Sequence, residues 1–239
     1  MEEQTGAALA PTGVAIRRLT LTNFRSYQRT RLDIDGRPVT LTGPNGAGKT
    51  NLLEALSFLA PGRGLRGAKL TDVGHAPVGD ANEVGCSWAV AATLDTADGP
   101  IDLGTGFDAA EDGRRAVHIN GQSVKTAGAF AQHLGLIWIT PAMDRLFVDG
   151  PGARRRFIDR MITAFESDHA GRTAAYEQAY RQRLRLIRDG EGDPSWFAAL
   201  EDTMARYGVA LAAARHEFVA RLNRELENTT GPFPTACLA

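Results

Sequence analysis

The sequence predicts an α/β protein: a mixed sheet built around a glycine-loop helix, followed by a separate α-helical lobe. Three observations carry that prediction. The first half holds short β-branched and apolar runs separated by Gly, Pro and Asn-Gly turns. One of those runs leads through Gly43–Thr50 into a helical pattern. From Pro151 onward apolar residues recur at i, i+3, i+4 and i+7, the spacing of amphipathic helices.

Taken in order, residues 1–13 (MEEQTGAALAPTG) lack both the basic and the apolar region of a signal peptide and read as a flexible tail. Val14–Thr22 (VAIRRLTLT) alternates roughly and reads as a strand, with Arg31–Ile34 as its neighbour. Pro38–Thr42 (PVTLT) is a short strand entering the glycine loop, and Asn51–Ala60 (NLLEALSFLA) has its leucines and Phe58 at helical spacing. Residues 61–81 are rich in Gly, with Pro and Asp, and read as loop. Strands resume over Glu83–Asp95, Ile101–Phe107 and Arg115–Asn120, and Asn120-Gly121 is the signal of a type I′ hairpin. A short helix near Ala127–His133 precedes Gly135–Thr140 (GLIWIT), read as a buried strand stopped by Pro141. Helical patterns then run through 154–165, 176–188 and 195–227, broken at Asp189–Pro194 (DGEGDP). The domain reading is a tail over 1–13, a head over 14–150, a basic helical lobe over 151–230, and over 231–239 the start of a further, truncated segment.

Composition narrows the class. With 239 residues, 43% of them hydrophobic, and a net charge of −1, the chain can bury a core and is not of disordered type. No run approaches the roughly 20 apolar residues of a membrane span. Cys86 and Cys237 are too few for a disulfide scaffold and lack metal-ligand spacing, so free thiols in a reducing cytoplasm are expected. Charge is placed unevenly: from Arg154 to Arg188 nine arginines face four acids, a local excess that invites a polyanion. Arg154, Arg155 and Arg156 open a helix, where positive charge opposes the helix dipole unless an anion or a partner surface sits there. Arg181, Arg185 and Arg188 share one helix face and could track a phosphate backbone; a solvated face paired with Glu177 is the alternative.

Gly43-Pro44-Asn45-Gly46-Ala47-Gly48-Lys49-Thr50 satisfies G-x-x-x-x-G-K-[ST] at every required position, with a strand expected before it and a helix after it. Glycines there let backbone N–H groups point into one concavity, which the following helix N-terminus completes as a phosphate cradle. Lys49 would reach the β- and γ-phosphates, and the Thr50 hydroxyl would ligate Mg²⁺. Nucleoside triphosphate binding is the expectation.

Other residues are bland at this level. The five histidines show no ligand spacing, Trp88, Trp138 and Trp196 read as core or lobe packing, and Ser26 and Ser57 have no base partner in sequence.

Leu21-Thr22-Asn23-Phe24-Arg25-Ser26-Tyr27 shortly before GPNGAGKTNLLEAL resembles the SMC-like branch of the ABC ATPases. TPAMDRL over 140–146 and GPGARRRFID over 150–159 narrow the resemblance to the RecF family of recombination and gap-repair proteins. It runs from Val14 to the end. The resemblance implies an ABC-type P-loop ATPase head with a helical lobe, using ATP and Mg²⁺. It also implies an ATP-dependent homodimer that clamps duplex or gapped DNA, works with recombination mediator proteins in repair and replication-fork maintenance, and does not involve membranes. By the same resemblance Arg25 lies close to the nucleotide phosphates; a surface arginine at a strand end is the alternative. No glutamine stands near Ile139–Asp144, where many ABC ATPases carry one; Asp144 is the substitute, with helix capping as its other reading. An LSxGQ-like loop and an apolar strand ending in Asp-Glu are absent from the 239 residues, so the chain is expected to be the N-terminal part of a longer ATPase that binds ATP weakly and hydrolyses it poorly or not at all. The rival readings are a transporter-type ATP-binding subunit and a non-hydrolysing regulatory fragment.

Overall fold

The computed structural model describes residues 13–75, 86–110, 113–190, 192–228, 231 and 236–238. The tail over 1–12, the end of the Gly-rich loop over 76–81 and most of 229–239 lie outside the described residues. Contacts divide the chain into two units, Met1–Trp138 and Ile139–Ala239.

In the first unit, alternation of apolar and polar residues builds β1 (Ala15–Phe24), β2 (Tyr27–Asp33), β3 (Trp88–Thr96), β4 (Gly99–Phe107), β5 (Arg115–Ile119) and the two-residue β6 (Gln122–Ser123). They form one sheet in the order β2-β1-β3-β4-β5-β6, and every pair in it is antiparallel. The buried face presents Leu19, Leu21, Val90, Leu94, Leu103 and Val117. Against it packs α1 (Lys49–Ser57) with the residues that follow, through Leu52, Ala55, Phe58 and Leu59. Phe58 meets Phe24 and Trp88 edge-on or tilted, with ring centroids 5.8 and 5.0 Å away, and the Trp88 indole N–H donates to the Leu70 carbonyl at 2.8 Å. These contacts anchor the C-terminal end of α1. Asn120 and Gly121 both have positive φ, 49° and 78°, as a type I′ turn requires.

Two expected strands are not strands. Pro38–Thr42 and Gly135–Thr140 carry no strand pairing, Val39 is 58% exposed, and Ile139 is 80% exposed. A five- or six-residue apolar run becomes a strand only beside a partner, and neither edge of the sheet, β2 or β6, pairs with them. The sheet seen here is therefore antiparallel rather than mixed, while the α/β class stands. The expected helix near Ala127–His133 is a 3₁₀ turn over Ala127–Gln132.

The second unit is helical: α2 (Pro151–Thr163), α3 (His169–Asp189) and α4 (Pro194–Glu227). Pro at the first position starts α2 and α4, where its missing N–H is no loss, and the Asp193 side chain caps α4 by accepting from Ser195 N at 2.8 Å. Arg154 therefore closes the first turn of α2, and Arg155 and Arg156 follow it. Ile162, Ala179, Leu200, Leu211 and Ala214 are buried. A polar cluster joins the three helices: Asp159 of α2 accepts Arg215 of α4 through two bonds of 2.8 Å and lies 3.0 Å from Nε2 of the fully buried His169 of α3. Among the described residues no helix is long and apolar enough to cross a membrane.

Candidate functional site

The Gly43–Thr50 loop runs exposed into α1, with Gly43, Gly46 and Gly48 at φ of 141°, 84° and 93°. Those left-handed values turn successive backbone groups toward one side and suit only glycine. Gly48 is the N-cap of α1, no side chain caps the helix, and no acid stands in its first turn. The first-turn N–H groups of α1 thus keep the positive end of the helix dipole uncompensated. Lys49 curls back, its Nζ donating to the Gly43 carbonyl at 2.7 Å and the Pro44 carbonyl at 2.8 Å, which holds the loop arched. Pro44, Asn45 and Ala47 shape the exposed crest, and Thr50 carries its hydroxyl at the exposed start of α1. The loop's geometry fits a polyphosphate, and the Thr50 hydroxyl is a hard oxygen of the kind that Mg²⁺ takes.

The β1–β2 turn covers this loop. Its residues Arg25 and Ser26 lie between the paired Phe24 and Tyr27. A Cβ on Gly48 would stand 3.1 Å from the Ser26 hydroxyl oxygen, and Asn51 Nδ2 of α1 donates to that oxygen at 2.9 Å. Arg25 has φ 53°, and its main chain donates to the Val73 carbonyl at 2.9 Å. Its guanidinium grips the carboxylate of Glu54 through Nε at 2.9 Å and through Nη2 at 2.7 Å, and donates to the Asp72 carbonyl at 2.6 Å. Arg66 donates to the same carboxylate and, at 3.0 Å, to Asn51 Oδ1. The head group of Arg25, expected near the nucleotide phosphates, is thus bound to a buried acid that the sequence reading did not single out. Glu54 was findable in principle. It lies three residues from both Asn51 and Ser57, and the residues between them are apolar, so the three polar side chains form one stripe.

Other expected residues belong to the second unit. Arg154, Arg155 and Arg156 are exposed on α2, with Arg154 bonded to the Asp149 carbonyl at 2.9 Å. Arg181, Arg185 and Arg188 line one exposed face of α3; Arg181 pairs with Glu177 at 3.1 Å and Arg188 with Asp189 at 3.0 Å. Trp196, expected as packing, is 54% exposed on the first turn of α4. Asp144 lies exposed inside the 3₁₀ turn Pro141–Arg145 and makes no hydrogen bond among the described residues, so it caps no helix. Burial works to raise the Asp159 carboxyl, but hydrogen bonds from His169 and Arg215 outweigh it and hold that group below the usual range. Ser57 is buried, donating to the Glu54 carbonyl at 2.6 Å and accepting from Leu65 N at 2.6 Å, so it is a structural tether.

Residues 15–142 match the family described as the RecF/RecN/SMC N terminal domain. The chain is 45% identical over 233 residues to a DNA replication and repair protein RecF of Rhizobium leguminosarum bv. trifolii, a match covering 95% of this chain and 60% of that one. It is 45% identical over 231 residues to the RecF of Caulobacter vibrioides, covering 94% of this chain and 59% of that one. Among solved structures it is similar to the recombination mediator protein RecF with ATPrS in the RecFOR pathway, at a TM-score of 0.75 and 20% identity over 90% of this chain and 56% of that one. The ATP form of RecF matches with a TM-score of 0.74 and 20% identity over 92% and 58% of the two chains. At that identity the structural matches speak for the fold. The chain spans about 60% of the length of the curated relatives it matches.

Proposed function

The chain belongs to the RecF/RecN/SMC N-terminal domain family, and from that premise we propose that it is the ATP-binding, DNA-engaging part of a RecF-type repair ATPase. The observation that carries the reading is the arched Gly43–Thr50 loop at the uncapped N-terminus of α1, with Lys49 folded onto the Gly43 and Pro44 carbonyls. The backbone N–H groups of the loop and the first turn hold the phosphates, and Lys49 adds a point charge to them. Thr50 gives its hydroxyl to Mg²⁺, which when bound neutralises phosphate charge. Arg25, fixed at the covering turn, lies beside the same group. Relatives with this name act in DNA replication and repair, and solved RecF structures are described with ATP and within the RecFOR pathway.

DNA, duplex or gapped, is the polyanion for the head and the arginines of α2 and α3, since phosphate contacts need cationic side chains rather than a particular base sequence. Recombination mediators, an ATP-dependent homodimer and a cytoplasmic location complete the reading. Lys49→Ala tests it. A fluorescent ATP analogue titrated with Mg²⁺ should bind the wild-type chain and lose at least tenfold in affinity to the variant; equal affinity would sink the site assignment.

A further inference from the structure

Glu54 is fully buried, and its carboxylate is paired with two arginines from distant parts of the chain. It takes Arg25 from the β1–β2 turn and Arg66 from the segment after α1. Of the five N–H groups of Arg25, three are spent on Glu54 and the Asp72 carbonyl. The Arg25 carbonyl accepts from His75 Nδ1 at 2.6 Å and its own N–H donates to Val73, so backbone and head group are both pinned. Arg66 reaches Asn51, and Asn51 reaches Ser26, closing a ring of hydrogen bonds around the first two turns of α1. One carboxylate against two guanidiniums leaves a net positive charge held rigidly behind the loop.

We propose that Glu54 is a positioning residue of the phosphate site: its buried carboxylate fixes Arg25 and Arg66 beside the start of α1, and the affinity of the loop for a triphosphate depends on that fixed pair. The proposal rests on the ATP reading of the loop. Its consequence runs against simple charge counting. Glu54 lies five residues beyond Lys49, about 7.5 Å along the helix axis, within a Debye length of about 8 Å at physiological salt. By charge alone, neutralising Glu54 would remove a repulsion and tighten binding of a polyanion. By positioning, it releases both guanidiniums, which must then be ordered again when the ligand binds, and so weakens it.

The test is an equilibrium titration of the chain with Mg²⁺ and fluorescent (mant) ATP or ADP. Glu54→Gln keeps the shape and one acceptor, and its fold is checked by circular dichroism. The expected result is about tenfold weaker binding of mant-ATP and a smaller loss for mant-ADP, whereas a merely loosened fold lowers both by the same factor. Arg25→Lys keeps the charge but not the two-bonded grip; it should weaken mant-ATP similarly, and combining it with Glu54→Gln should add little. Equal or tighter mant-ATP binding by Glu54→Gln, equal losses for the two nucleotides, or independent effects of the two substitutions overturns the proposal. If Glu54→Gln does not fold, Arg25→Lys and Arg66→Lys decide, and unchanged affinity in both overturns it. Absence of binding by the wild-type chain would overturn the nucleotide reading together with this one; normal wild-type binding with unaffected variants overturns this one alone.

Discussion

Arg115 on β5 donates to the Phe58 carbonyl at the end of α1, and its guanidinium lies 5.4 Å from the centre of the Phe58 ring. It also donates to Thr105 Oγ1 at 2.7 Å and to the Gly62 carbonyl at 2.8 Å. A cation therefore stands at the negative end of the helix whose positive end faces the phosphate loop. Burial pushes its pKa down to about 10, which still leaves it charged at neutral pH. Arg115→Ala would strand the Phe58 carbonyl in the interior and remove the ring contact, so a loss of about 2–4 kcal/mol is expected. Urea unfolding of the two proteins at pH 7 measures it; a difference under about 0.5 kcal/mol, the range of ordinary surface substitutions, would show that the network is dispensable.

Gly48 is constrained twice. Its φ of 93° is left-handed, and a Cβ there would stand 2.5 Å from the Tyr27 hydroxyl oxygen. Strain of about 1–3 kcal/mol is expected for Gly48→Ala from the backbone alone, and the side chain of Tyr27 must also move. The variant should melt lower and bind mant-ATP more weakly. Adding Tyr27→Ala should restore part of the binding, because it removes the clash and leaves the strain. No restoration would mean that the backbone angle decides alone.

How much of this was legible depends on distance along the chain. The loop motif, the Asn120-Gly121 turn and the three long helices are local patterns, so the sequence announces them. Pro38–Thr42 and Gly135–Thr140 look like strands by content, but a strand is a pairing, and no partner lies beside them among the described residues. The Glu54 ring joins positions 25, 51, 54 and 66, and the helical cluster joins 159, 169 and 215. Only Asn51 and Glu54 share a helical spacing that a sequence window can register; tertiary folding brings the other members together. The same holds for Tyr180, Leu184 and Ile187, whose helical spacing promises burial and which are exposed on α3.

Asp159 makes the helical unit sensitive to acid. Its carboxyl is held below its ordinary range, so it stabilises the fold fully above the unfolded value near 3.8 and loses that contribution as pH falls through the folded value. Asp159→Asn should cost about 2–4 kcal/mol at pH 7, because Arg215 and His169 lose their shared partner. Between pH 5 and pH 3 (the usual range of carboxylate titration) its stability should fall less steeply than that of wild type. Parallel pH profiles would assign the acid sensitivity to other carboxylates.

The arginine row of α3 separates into two kinds of cation. Arg181 and Arg188 already pair with Glu177 and Asp189, whereas Arg185 makes no hydrogen bond or ion pair among the described residues. A pre-paired arginine gives up its acid to take a phosphate, so it contributes less than a free one. If the row tracks a DNA backbone, Arg185→Ala alone should reduce the slope of log affinity against log salt by about 0.9, the value for one phosphate. Charge reversal at Arg181, Arg185 and Arg188 together should reduce it by up to about 2.7. Fluorescence anisotropy of a labelled duplex from about 50 to 200 mM NaCl reads both slopes. Affinity that drops with the slope unchanged would point to a lost protein surface, and an unaltered affinity would return all three arginines to the solvated face of α3.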